Sequence, residues 1–171
     1  SQKKTFLNIE GDKEQYLTAV TWSPDSKYIF VGVLNREQNH MKMNKYDAVT
    51  GNLVKTLFEE TSDKYVEPQH PLLFLPNSNT DFIWQSQRTG YNHLFHYSLE
   101  KGLIAQITKG DWLVTDILGF NEKKKEIYYA STQESPMERH LYRINWNNFK
   151  TQKLSAAPGM HTGILSKDGT Q

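Results

Sequence analysis

The chain has 171 residues, a formal net charge of +1, 37% hydrophobic and 12% aromatic residues, and no cysteine. That length suffices for one domain with a sizeable core, the aromatic share suits pleated surfaces, and the lack of cysteine excludes disulfides and thiolate metal sites. Basic residues are dispersed except for Lys123-Lys124-Lys125, which reads as a solvated hairpin tip, so no nucleic-acid partner is expected, and no apolar run is long enough for a membrane segment.

In chain order, residues 5–9 alternate weakly and stop at Gly11, reading as the last strand of a preceding unit (1–11). The N-terminal Ser1-Gln2-Lys3-Lys4 reads as an internal cut, so the missing signal peptide carries little weight. Strand-like runs follow at 17–22, 28–34, 40–46 and 53–57. A second quartet falls at 71–75, 81–86, 93–98 and 103–108, and a third at 112–120, 126–131, 140–145 and 151–154. Another begins at 161–165. The second run of the first quartet, Tyr28-Ile29-Phe30-Val31-Gly32-Val33-Leu34, is nearly continuous apolar, as expected of a strand covered on both faces.

Polar turns recur at Ser23-Pro24-Asp25-Ser26-Lys27, Pro76-Asn77-Ser78-Asn79, Asn121-Glu122-Lys123-Lys124-Lys125 and Ser166-Lys167-Asp168-Gly169, in steps of 53, 45 and 45 residues. Four short strands in each such period are the mark of a β-propeller blade. No segment carries a sustained helical period. The expected fold is all-β: a partial β-propeller with three complete four-stranded antiparallel blades (16–57, 65–108 and 112–154) and incomplete blades at both ends (1–11 and 161–171). Both ends fall within a repeat, which suggests a piece of a larger ring.

Residues 58–69 make a long connection and account for the longer first step; they carry Glu59-Glu60 and Asp63-Lys64-Tyr65-Val66-Glu67-Pro68. Long loops on rigid scaffolds are where binding residues collect. Adjacent carboxylates such as Glu59-Glu60 either clamp a cationic amine or are simply solvated. His40, His93 and His140 each open the third strand of a repeat, in Asn39-His40-Met41, Asn92-His93-Leu94 and Arg139-His140-Leu141. Such repeat-equivalent histidines satisfy loop backbone more often than they bind an ion. His93 and His96 are three apart on one strand and so face opposite sides, which argues against shared metal ligation. There is no nucleophile elbow, zinc-protease helix, phosphate loop or dinucleotide fingerprint. No catalytic residue, metal site or cofactor is therefore expected in this chain.

The residues that remain carry a resemblance. Tyr16-Leu17, Val20-Thr21-Trp22-Ser23-Pro24-Asp25 and Val33-Leu34-Asn35-Arg36-Glu37-Gln38-Asn39-His40 are the first of them. Tyr65-Val66-Glu67-Pro68-Gln69-His70-Pro71, Phe82-Ile83-Trp84-Gln85-Ser86 and Gly90-Tyr91-Asn92-His93-Leu94 follow, then Ile107-Thr108-Lys109-Gly110-Asp111-Trp112 and Ser135-Pro136-Met137-Glu138-Arg139-His140-Leu141-Tyr142. In order and spacing these resemble the N-terminal β-propeller of the dipeptidyl peptidase IV family over nearly the whole chain.

That resemblance implies an eight-bladed propeller stacked on a C-terminal α/β-hydrolase domain, which carries the serine nucleophile, the aspartate and the histidine. The enzyme it implies removes dipeptides from peptide N-termini, preferring proline or alanine at the second position. The segment here would be non-catalytic, walling and gating the active-site chamber. The family's paired glutamates that hold the substrate amine lie upstream of the matched segment, so Glu59-Glu60 does not inherit their role. Tyr65, Val66 and Glu67 match a segment near the substrate cavity and are the candidate substrate-binding residues. The partners implied are the hydrolase domain and peptide substrates, and the location implied is periplasmic or secreted in a bacterium. The isolated chain is expected to self-associate through exposed blade edges. The alternative is a stand-alone propeller-type module that binds protein or peptide.

Overall fold

The computed structural model describes residues 4–166. Among them are twelve strands and no helix. The first sheet holds β1 (Tyr16–Trp22), β2 (Tyr28–Leu34), β3 (His40–Asp47) and β4 (Leu53–Thr61). The second holds β5 (Leu73–Phe74), β6 (Asp81–Ser86), β7 (His93–Ser98) and β8 (Gly102–Gln106). The third holds β9 (Val114–Asn121), β10 (Glu126–Ser131), β11 (His140–Asn145) and β12 (Thr151–Lys153). Each sheet is a four-stranded antiparallel meander in chain order. The chain is a partial β-propeller, as its sequence period implies.

The apolar runs of the second sheet form buried strands because each serves two cores at once. Phe82 and Trp84 of β6, with Phe95 and Tyr97 of β7, pack against Phe30, Leu34, Met41 and Met43 of the first sheet. Ile83 and Leu94, offset by one residue, pack instead with Val114, Ile127, Tyr129, Tyr142 and Ile144 of the third sheet. The two-residue repeat of a strand thus sends alternate side chains into different inter-sheet cores. Trp84 and Ile127 are completely buried. Val31, Val33 and Tyr46 form a further cluster, covered by Leu7 and Ile9.

Three of the turn motifs join the first and second strands of their sheets. Ser26, Asn77 and Lys125 have φ of 58°, 57° and 57° there, the left-handed conformation that closes a tight hairpin. In the first, Ser23 Oγ accepts the Tyr28 N–H at 2.9 Å and donates to Asp25 at 2.6 Å.

Some expected boundaries differ. Residues 5–9 join no ladder; the Asn8 N–H donates to the Gly51 carbonyl at 2.8 Å, so this segment is pinned to the turn before β4. Strand β5 covers only two of residues 71–75, because Pro71 lacks a ladder donor and the turn begins at Pro76. Strand β9 begins at Val114, two residues later than expected, and Trp112 instead packs edge-on to His93. Residues 161–165 form no strand; the His161 N–H donates to the Arg139 carbonyl at 2.8 Å beside an isolated parallel bridge between Arg139 and Met160. The rest of the expected fourth turn, residues 167–169, lies outside the described residues. Among the described residues, no helix is long and apolar enough to cross a membrane.

Candidate functional site

The largest correction falls on residues 58–69. Strand β4 does not end at Leu57 but runs on to Thr61, pairing Phe58 with Met43, Glu59 with Lys42 and Glu60 with Met41. Neighbours on a strand point to opposite faces, so the two adjacent carboxylates part company. Glu59 turns outward to His40 Nε2 at 2.5 Å and Lys42 Nζ at 4.0 Å. Glu60 turns inward, accepts the Trp84 Nε1–H at 2.9 Å and pairs with Arg88. They form no joint clamp.

Arg88 lies in the turn between β6 and β7. Its Nε–H donates to Ser86 Oγ at 3.1 Å and its Nη1 to the Tyr97 hydroxyl at 2.6 Å, while Nη2 meets Glu60. The guanidinium carbon lies 4.8 Å from the Phe95 ring centre, 5.6 Å from Tyr97 and 5.9 Å from Phe58. Aromatic faces attract a cation so placed. Burial pushes the Tyr97 phenol above its ordinary value, and the neighbouring Arg88 charge partly opposes that. The Glu60 side chain is only 9% exposed. Trp84 and Arg88 together supply the partners that a sheltered carboxylate requires.

The segment after β4 hangs on the β2–β3 hairpin. The Ser62 N–H donates to the Asn39 carbonyl at 3.0 Å, and the Val66 N–H to the Gln38 carbonyl at 2.7 Å. That hairpin is organised by Asn35, whose Oδ1 accepts the backbone N–H groups of Asn39 and His40 at 3.0 and 2.9 Å. Gln38 takes a φ of 58° at the tip. Val66 is buried in the core between the first two sheets and anchors the segment, while Tyr65 and Glu67 on either side are exposed.

These pieces enclose a cleft of about 570 Å³ lined by residues 60–67 together with Gln87, Arg88 and Gly90. The structure therefore brings Tyr65, Val66 and Glu67 together on one side of a single opening, with Glu60 and Arg88 also in its lining. The sequence reading did not single out Arg88, Trp84 or Tyr97. The lining offers carboxylate, hydroxyl, phenol, ammonium, amide and guanidinium groups, and neither histidine nor cysteine is among them.

The repeat-equivalent histidines are structural. His93 Nε2 bonds the Gly110 carbonyl at 2.9 Å, and Nδ1 meets Thr108 Oγ1 at 3.1 Å; that hydroxyl also accepts the Leu94 N–H. One repeat later His140 Nδ1 meets Ser155 Oγ at 2.8 Å, which likewise accepts the Leu141 N–H, while Nε2 meets Glu138 at 2.7 Å. At His40 it is Nε2 that meets Glu59, on the ring edge where His93 meets the Gly110 carbonyl and His140 meets Glu138. Among the described residues, no group of three histidine, aspartate or glutamate side chains stands where it could hold a metal ion.

Comparison with known proteins gives a consistent result. Residues 2–171 match the family model described as "Dipeptidyl peptidase IV (DPP IV) N-terminal region". The dipeptidyl-aminopeptidase B of Aspergillus niger is 30% identical over 180 residues, covering 94% of this chain and 20% of that protein. A crystal structure of a candidate dipeptidyl aminopeptidase IV from Bacteroides ovatus superposes with a TM-score of 0.85 at 37% identity, over 96% of this chain and 26% of that one. The Porphyromonas gingivalis dipeptidyl peptidase 4 superposes with a TM-score of 0.79 at 25% identity, over 90% of this chain and 22% of that one. The chain spans about a fifth of the length of the curated relatives it matches.

Proposed function

The chain belongs to the dipeptidyl peptidase IV N-terminal region family, and on that footing we propose that it is a non-catalytic wall of the substrate chamber in a dipeptidyl peptidase IV-like serine exopeptidase. In this reading the serine chemistry resides in a C-terminal α/β-hydrolase domain of the parent protein. The propeller segment limits entry to slim, extended peptides and exposes Tyr65, Val66 and Glu67 to them. The observation that carries the reading is the cleft itself. A connection of unusual length is tied down at Ser62 and Val66, so its exposed residues line an opening instead of spreading over the surface.

The mechanism asks little chemistry of this chain. The middle strands of its second sheet are packed on both faces, and such close-packed interiors resist deformation. A rigid wall excludes folded proteins by size and holds an extended peptide near its reacting bond, where positioning lowers the barrier to reaction. The test is mass spectrometry of unblocked peptides with proline or alanine second. The full-length protein releases N-terminal dipeptides and the isolated chain releases none. Turnover by the rigorously purified chain would overturn the assignment, as would a full-length protein that leaves such peptides intact.

Two further elements belong to the reading. Leu17, Val20 and Trp22 on β1 and Leu53 and Val54 on β4 are about half exposed, and Leu103 and Ile104 on β8 nearly so. Apolar edge strands of this kind support self-association of the isolated chain. Light scattering should show a mass that rises with concentration, and a constant monomer mass would count against it. A periplasmic or secreted location in a bacterium is the companion proposal. Osmotic-shock fractionation of the source cell tests the compartment.

A further inference from the structure

We propose that Arg88 is a peptide-anchoring residue: its guanidinium donates an N–H to a main-chain carbonyl oxygen of an extended peptide lying in the cleft. The proposal rests on the peptidase reading above and adds a specific contact to it.

An arginine carries five N–H donors in a planar fork. Inside the protein Arg88 directs Nε to Ser86, Nη1 to Tyr97 and Nη2 to Glu60. One hydrogen on each terminal nitrogen is left over, and the side chain lines the cleft. The rings of Phe58, Phe95 and Tyr97 fix the fork before any ligand arrives. Little rotamer freedom is then lost on binding, which favours affinity.

The charge balance selects the ligand. Glu60 sits against the guanidinium and cancels its charge. A neutralised fork has little to gain from an anionic partner, yet its spare N–H groups can still donate to an uncharged acceptor that enters the cleft. An uncharged, acceptor-rich ligand answers that need, and an extended peptide presents one carbonyl per residue.

The test compares two substrates of the full-length protein. One is a chromogenic Gly-Pro amide, with no peptide residue beyond the cleaved bond; the other is an unblocked, neutral hexapeptide that begins Gly-Pro. In Arg88→Met, kcat/KM for the hexapeptide should fall about five- to tenfold relative to that for the amide, the worth of one ordinary hydrogen bond from a charge-balanced donor. Glu60→Gln keeps an acceptor for Trp84 and Arg88 but uncovers the cation. That variant should prefer a hexapeptide with glutamate at its fourth position about threefold over the neutral one, a preference the wild type lacks. The second variant decides alone if Arg88→Met melts below the assay temperature. A folded Arg88→Met with no length-dependent loss, or a Glu60→Gln with no acidic preference, overturns the proposal. A wild-type protein inactive on both substrates overturns the peptidase reading, and this inference falls with it.

Discussion

Glu60 on β4 and Arg88 in the turn after β6 meet as an ion pair that ties the first sheet to the second where the cleft opens. Glu60 also accepts the indole N–H of Trp84, the largest completely buried side chain in the inter-sheet core. Cleft and core therefore share one carboxylate.

Removing that carboxylate should be costly. Glu60→Ala leaves a sheltered guanidinium and an indole N–H without their acceptor. The expected loss is about 3 kcal/mol, as for other sheltered pairs broken on one side. Glu60→Gln should lose clearly less, because an amide oxygen still accepts. Urea denaturation of the three proteins measures the difference.

Trp84→Ala tests the core beneath. Trp84 packs 5.5 Å from Phe58, ring centre to ring centre, and is fully enclosed. The cavity should cost about 4 kcal/mol. The check is a lowered denaturation midpoint with the slope unchanged.

What the sequence disclosed, and what it hid, follows from the range of the interactions. The strands around Phe30 and Phe82 were legible because a run packed on both faces must be apolar throughout. The hairpins at Ser23, Pro76 and Asn121 were legible because left-handed turns draw on a few residue types. The extension of β4 was hidden, since Phe58-Glu59-Glu60-Thr61 looks like a charged loop until Lys42 and Met41 are seen across from it. Arg88 was hidden for the same reason: Gln87-Arg88-Thr89-Gly90 reads as a turn, and its partner lies 28 residues earlier on another sheet. Residues 5–9 alternate like a strand, yet they are held by a backbone bond to Gly51 and by Leu7 and Ile9 packing on the first sheet rather than by a ladder. Tyr65, Val66 and Glu67 were named through family resemblance alone, and the buried Val66 with the backbone bonds at Ser62 and Val66 explains why the segment stays in place.

Val66→Ala tests that anchor. Losing two methyl groups from a buried site should cost about 2 kcal/mol. Hydrogen exchange at the Val66 amide, which donates to Gln38, should accelerate more than exchange in β6 or β10. Uniform acceleration across the chain would mean that Val66 supports the whole core rather than this segment.

Stability should fall in mild acid. Burial holds His93 and His96 below the ordinary imidazole value, opposed in part by the Gly110 carbonyl and the Asp81 carboxylate respectively. Below about pH 6.5 the unfolded chain binds protons that these two folded sites refuse. Their contribution is thus complete above that pH and is lost as pH drops toward the lowered folded values. Asp25, Asp47 and Glu134, all held below their ordinary values by hydrogen bonds, contribute in full above the ordinary carboxylate range and lose that contribution only at about pH 4 and under, outside this window. Melting temperature should decline from pH 7 to pH 5.5, and His96→Gln should flatten that decline.

The most direct measurement is hydrogen exchange on the full-length protein, with and without a saturating peptide that begins Gly-Pro and carries an uncleavable bond after the proline. The account predicts protection within residues 60–67 and 87–90, the two segments that border the cleft. Protection elsewhere in the chain, with those two segments unchanged, would contradict it.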